Sequence, residues 1–389
     1  MALGYRTAGV YLQDVVVSTP EALQTSVPVF VGFGTARDGA PSPVVLEHAE
    51  ELATRFVVAK QSFLAAAVTG FFANGGVRCY VVGAGADAST AALKSAIETV
   101  LPTLDVDLVA VPDAMAEPLQ PEQQVEAQEV QNAVLRHCTT AGNRLAILDA
   151  PNNVDPSGAI DALPAWRDAI CRGTAQPVNP ADGTLYYPWL RVAGVGTTTS
   201  MLVPPCGHIA GIFARSDARV GVFKAPANEE IQGALDLQYL LDTATQDRLN
   251  PAGINCMRSF PGRGMRVWGA RTLSLDPNWR YANVRRLVLT LSRWIESNMA
   301  WAPFETNAPP LWFRIQRELK VYLERLWRAG ALQGATADEA FYVKCDTENN
   351  PASERELGQV TTEIGLAPAL PAEFIVIRVI HRAGSSELS

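Results

Sequence analysis

The sequence predicts an α/β protein of more than one domain, and three observations carry that reading. Between residues 77 and 149, apolar strand-like runs alternate with helical stretches through short links, the order that builds a parallel sheet. At 389 residues the chain is too long for one ordinary core. Beyond a stretch at 249–280 punctuated by Gly and Pro lie two amphipathic helices with apolar stripes of their own, which marks a second packing unit.

Residues 1–20 alternate only weakly (Val10, Leu12, then Val15 to Val17) and hold too little apolar surface for a core, so this end needs a sheet to add to. Residues 27–34 form a buried-type strand, closed by a turn at 39–43. Over 62–74, Phe63, Ala66, Ala67, Gly70 and Phe71 share one helical face, and Gly75-Gly76 stops the helix. A strand at 77–82, a helix at 88–101, a strand at 107–111, a helix at 122–141 and a strand at 144–149 follow. A further helix covers 159–172, then a loop at 174–183 leads into Tyr186-Tyr187-Pro188-Trp189.

Val284, Leu287, Val288, Leu291, Trp294 and Ile295 recur at helical spacing, with Asn283, Arg286, Thr290 and Arg293 opposite. Pro310 suits the start of the next helix, and Trp312, Ile315, Leu319, Tyr322, Leu323 and Leu326 stripe it up to Gly330. Residues 341–345 and 360–365 read as strands. After Pro368 and Pro371 comes a continuous apolar strand at 374–380. So apolar an edge is sticky unless another sheet accepts it.

Composition narrows the function classes. Apolar residues make up 48% and charged residues 19%, as in a well-packed globular protein. No run approaches a membrane span, and no basic region followed by an apolar block opens the chain, so synthesis in the cytoplasm is expected. The six cysteines are scattered, without a C-x-x-C, and read as small buried residues. Net charge is −8, yet residues 248–330 carry 14 Lys or Arg against 5 Asp or Glu. Thirteen of the 14 are Arg, suited to bidentate pairing with an acidic partner.

The chemistry on offer is thin. Gly83-Ala84-Gly85-Ala86-Asp87-Ala88 follows a strand and precedes a helix like a dinucleotide-binding turn. The acid that should contact ribose is misplaced: Asp105 and Asp107 precede the second strand, while Pro112 and Asp113 occupy its carboxyl end. There is no phosphate-binding P-loop. His137-Cys138 and Cys206 with His208 have no second pair at zinc spacing. No catalytic, cofactor-binding or metal residue is therefore assigned, and no cofactor is expected. Nucleic-acid binding would use the arginines and tryptophans, but the chain is acidic overall with a pI near 5.2. A nucleotide-dependent enzyme and an Arg-rich nucleic-acid binder stand as the alternatives.

Long motifs point elsewhere. LNPAGINCMRSFPGRGMRVWGARTLSLDPNWRYANVRRL at 249–287, VPPCGHIAGIFARSDARVGVFKAPAN at 203–228 and LWRAGALQGATADEAFYVKCD at 326–346 resemble contractile tail sheath proteins. GVYLQDV at 9–15, VPVFVGFGTA at 27–36 and GFFANGGVRCYVV at 70–82 extend the resemblance over nearly the whole chain.

It implies an N-terminal arm (1–20), an outer α/β domain likened to subtilisin (21–246), an inner α+β domain (247–365) and a C-terminal arm (366–389). The outer domain would carry a parallel or mixed sheet with helices. Asp149 and His208 stand in protease-like order, but no nucleophile motif follows.

The resemblance further implies a non-enzymatic subunit that polymerises helically around a tail tube and contracts to drive the tube through a target envelope. Its partners would be further copies of itself, the inner tube protein, and baseplate and terminal cap proteins, with no nucleic acid and no membrane insertion. Assembly would take place in the bacterial cytoplasm, as part of a virion or a released injection particle.

The linking arms would present Val10, Tyr11, Leu12, Val15, Phe374, Ile375, Val376, Ile377 and Val379. Tyr342, Val343, Val360, Glu363 and Ile364 would lie on the recipient strands. Arg285, Arg286, Arg293, Arg314 and Arg317 would face an acidic tube wall, or else pair with Glu296, Glu318 and Glu324 nearby.

Overall fold

Pro28–Gly32 is buried along its whole length, and a large sheet grows from both of its edges. The computed structural model describes residues 23–37, 43–86, 89–115, 121–172, 177–194 and 199–373. Pro28–Gly32 pairs in parallel with Cys79–Gly83 on one side and Leu108–Ala110 on the other. The sheet continues in parallel through Leu145–Asp149, Gly183–Tyr187 and Ile254–Phe260. Antiparallel strands finish both edges: Val44–Leu46 at one, Gly264–Val267 and Glu229–Glu230 at the other. The inner strands are apolar on both faces, as a parallel sheet covered on both sides requires.

Chain direction decides where the helices go. The step from Pro28–Gly32 to Cys79–Gly83 passes through Leu64–Ala73, and the step back to Leu108–Ala110 passes through Thr90–Thr99 in the opposite sense. Right-handed crossovers then place those two helices on opposite faces. Pro121–Ala141 and Pro156–Cys171 join Thr90–Thr99, whereas Cys206–Arg219 packs beside Leu64–Ala73. The latter contact is close, since a Cβ on Gly207 would run into the Ala67 backbone. Asp149, only 2% exposed, accepts a hydrogen bond from the backbone N–H of Cys206 at 2.9 Å and so ties the sheet to that helix. Burial pushes its carboxyl up to about 7.

The sheet runs past the boundary expected at residue 246. Ile254, Met257, Val267 and Leu273 belong to the first core. The Arg-rich stretch thus begins as a hairpin of the large sheet, turning through Gly262 and Gly264 at φ of +71° and +72°. The second core gathers Leu287, Leu291, Trp312, Leu319, Leu323, Phe341 and Val343. Its helices are Ala282–Asn298 and Pro309–Arg328, with Trp294 stacked on Tyr322 at 4.1 Å. The antiparallel pair Phe341–Lys344 and Glu363–Leu366 rests beside the second helix. The latter strand starts three residues later than expected, because the Asn350 side chain holds both backbone groups of Thr361 at 2.7 and 3.0 Å. Val360 therefore lies off the ladder.

Arginines fasten the two units together. Arg286 is 2% exposed and donates to the Asp217 carboxylate at 2.6 and 2.8 Å and to Ser26 Oγ at 3.0 Å, with Asp107 at 3.5 Å. Asp107 also accepts the backbone N–H groups of Ser26 and Val27. Arg293 is 5% exposed and donates to Asp105 and to the Gln24 carbonyl, both at 2.8 Å. Arg285 donates to the buried Asp182 at 2.7 Å. The sequence reading offered these three to a tube wall; the structure instead spends them inside the chain. Their acids come from far upstream links and helical turns, not from the neighbouring Glu296, Glu318 or Glu324.

Arg286→Ala should lower unfolding stability by about 3–5 kcal/mol in urea titrations, because it leaves two buried carboxylates without their cation. Arg293→Ala should cost clearly less, since water can take over Asp105, whose side chain is 85% exposed. Asp149→Asn tests a titration. The folded chain holds a proton on Asp149 up to about pH 7, whereas the unfolded chain releases it near pH ~4, so this group's contribution is lost as pH rises between the two. Relative to wild type, the Asn variant should therefore be more stable at pH 8 than at pH 4 in matched urea series, by roughly 1 kcal/mol or more.

Candidate assembly interface

With Arg285, Arg286 and Arg293 of the helix Ala282–Asn298 committed to their own chain, the remaining two of the five expected arginines sit on Pro309–Arg328. Leu311, Trp312, Ile315, Leu319 and Leu323 bury one face of that helix. The opposite face presents Phe313 at 68% exposure and Val321 at 46%, with Arg317 and Lys320 exposed between them. Positions 313, 317, 320 and 321 share this side because they fall at i, i+4, i+7 and i+8. Arg314 is exposed beside the stripe, lies 3.5 Å over the Trp301 ring and pairs with Glu318 at 3.2 Å. Of the five arginines expected to face outward, only Arg314 and Arg317 do. Lys320, Phe313 and Val321 were missed, although the same helical spacing that located the buried stripe also locates them.

The strands expected to receive a neighbour form a ladder two strands wide among the described residues. Tyr342 stands opposite Gly365, and Val343 opposite Ile364. The Tyr342 ring lies over Gly365, where a Cβ would collide with it, and its hydroxyl donates to Glu363 at 2.5 Å. Tyr342 is 51% exposed, while Val343 faces the core. So narrow a sheet gains from further strands, because an edge strand offers N–H and C=O groups that another strand can pair. The arm residues Val10, Tyr11, Leu12, Val15, Phe374, Ile375, Val376, Ile377 and Val379 lie outside the described residues.

The turn that resembled a dinucleotide site is occupied by protein. Ala84 N donates to the Gly32 carbonyl at 2.9 Å, and Gly34 and Gly85 exchange backbone hydrogen bonds at 2.6 and 3.2 Å. The N–H groups of residues 84 and 85, which would cradle phosphate, are thereby used. Asp113 accepts from the backbone N–H groups of Phe33 and Phe63, both at 2.6 Å, and burial raises its carboxyl to about 6. Asp149 serves Cys206, while His208 is 3% exposed, its Nδ1 unpartnered and its pKa lowered by burial to about 4. Among the described residues, no group of three or more His, Cys, Asp or Glu is placed to hold a metal ion. No helix there is long and apolar enough to cross a membrane. All six cysteines are free, five of them buried.

Comparison with known proteins accounts for this arrangement. Residues 82–273 match the phage tail sheath protein central domain, and residues 274–382 match the phage tail sheath C-terminal domain. That junction follows Leu273 of the first core, although Leu289 beyond it still packs in the first core and Val222 before it belongs to the second.

A cryo-EM structure of the anti-feeding prophage helical sheath in contracted state superposes with a TM-score of 0.75 at 28% identity, covering 96% of this chain and 98% of that one. The PVC sheath complex, from an extracellular contractile injection system in contracted state, gives 0.74 at 28% identity and covers 97% and 98%. The putative prophage major tail sheath protein of Pseudomonas aeruginosa strain UCBPP-PA14 is 27% identical over 60% of this chain and 57% of its own length. The chain spans little more than half of that relative, and between 27% and 41% of four phage tail sheath proteins. Two adjoining domain models over 82–382, and folds shared almost end to end with sheath subunits, lead to one assignment. The chain belongs to the phage tail sheath protein family.

Proposed function

We propose that this chain is a structural sheath subunit: copies polymerise helically around an inner tail tube and contract to drive it through a target envelope. The observation that carries the reading is the near end-to-end likeness to the two contracted sheaths, at 98% of each of those chains. A repeating contact between unlike surfaces that does not close on itself makes a filament, which is the geometry a tube coat needs. Contraction requires rigid contacts to exchange while neighbours stay connected. Strands donated through short linkers meet that requirement, because linkers bend without breaking ladder hydrogen bonds.

In this reading residues 9–17 and 374–380 are the donated strands, and Phe341–Lys344 with Glu363–Leu366 are the recipients. The tube partner is met by Arg314, Arg317 and Lys320, with Phe313 and Val321 adding apolar contact. The subunit acts without catalysis, in company with baseplate and cap proteins, and is assembled in the bacterial cytoplasm into a virion or a released injection particle.

Negative-stain microscopy of purified protein with tube should reveal helical sheaths, and a chain ending at Glu373 should stay folded yet form none. Intact sheaths from that truncation would end the arm assignment. Arg317→Glu combined with Lys320→Glu should reduce co-sedimentation with tube at least ~tenfold in low salt and leave the melting temperature unchanged, since both side chains are exposed. An unchanged yield would remove this face from the tube contact.

A further inference from the structure

A groove of about 1020 Å³ runs between the two units. Phe223, Ala227, Trp268, Ala270 and Leu370 give it apolar walls. Three buried polar atoms on its lining lack a hydrogen-bond partner: Asn283 Oδ1, Asn250 Oδ1 and Arg258 Nε. Asn283 is 2% exposed, and its amide is fixed in orientation because Nδ2 donates to the carbonyls of Phe223 at 2.8 Å and Ala369 at 3.3 Å. Its oxygen therefore asks for a donor. Buried groups of this kind are almost always satisfied, and two acceptors and one donor between apolar walls suit an extended peptide, with its own N–H and C=O groups.

The chain itself leads there. Residues 369–373 form one wall of the groove. Ala369 N donates to the Ala331 carbonyl at 3.0 Å, and Glu373 is gripped by Arg271 at 2.5 and 3.1 Å and by the Tyr281 hydroxyl at 3.2 Å. The next residues in sequence are Phe374, Ile375, Val376, Ile377, Arg378, Val379 and Ile380. They start at the groove, and six of the seven are apolar.

We propose that in the unassembled subunit this groove holds the chain's own residues 374–380, so that the arm is sheltered until a neighbour takes it. This rests on the reading of that segment as a donated strand. Sheltering answers a physical problem, since a free apolar strand would pair indiscriminately with other chains before a tube is present. The clamp of Arg271 on Glu373 keeps the hinge of the segment at the groove mouth in either state.

Hydrogen exchange on the unassembled full chain tests it. Truncation after Glu373 should speed exchange in 223–228 and 243–250 by about tenfold or more, with the sheet core unchanged. Val376→Asp with Ile377→Asp in the full chain should do the same, because carboxylates are expelled from apolar walls. Cysteines placed singly at 375–379 against Ala227→Cys should give a cross-link within one chain at one or more positions. Unchanged exchange in both variants would overturn the proposal. So would cross-links found only between differently tagged chains, which would make the occupant a second copy. Both readouts are taken before assembly, so they stand apart from whether the truncated chain forms sheaths.

Discussion

Taking a guanidinium and two carboxylates out of water costs several kcal/mol per ion unless they satisfy one another. The chain meets that cost at one point, where Arg286 from the second unit meets Asp107 and Asp217 from the first, with Ser26 closing the set. Because Asp107 also holds the entry of the central strand through Ser26 and Val27, the same carboxylate positions the sheet and the helix Ala282–Asn298. Burial opposes the charge on Arg286, and the flanking acids more than offset it, so its pKa is raised. The two units are consequently locked in one orientation by interactions that tolerate little displacement.

That lock divides the surface. The helix that carries Arg285, Arg286 and Arg293 faces inward, and the following helix, Pro309–Arg328, becomes the outward basic element. The narrow ladder of Phe341–Lys344 and Glu363–Leu366 stands beside it. In the proposed sheath, one rigid body therefore presents a tube-facing helix and a strand acceptor in a fixed relation, and the motion of contraction is left to linkers. The groove lined by residues 369–373 lies at the last of the described residues, where Arg271 holds Glu373.

The strand-to-helix turn after Cys79–Gly83 has the glycine spacing of a dinucleotide-binding turn without its chemistry. The tight turn after Cys79–Gly83 is filled by the Gly32 and Gly34 backbone, and the acid at the end of Leu108–Ala110 is used to fix two loops. Buried carboxyls with raised pKa values, which often mark catalysis, here tie strand ends to neighbouring segments.

By itself the sequence determined the long helices other than Cys206–Arg219, the shared parallel direction of the strands between residues 77 and 149, and the family likeness. These depend on short-range apolar periodicity and on link length, which are written along the chain. It also determined the strand at 341–345 almost to the residue, because alternation there is uninterrupted. Only the tertiary structure decided that residues 254–267 complete the large sheet, since arginines at 258, 263 and 266 masked a hairpin whose pairing partner lies some seventy residues upstream. Only the tertiary structure decided which arginines are internal. Arg286 and Arg317 look alike in sequence, each on an amphipathic helix, and their difference is the arrival of Asp107 and Asp217 from elsewhere in the chain. Side-chain pairing over such separations has no period, so it leaves no pattern to read until the backbone has brought the partners together.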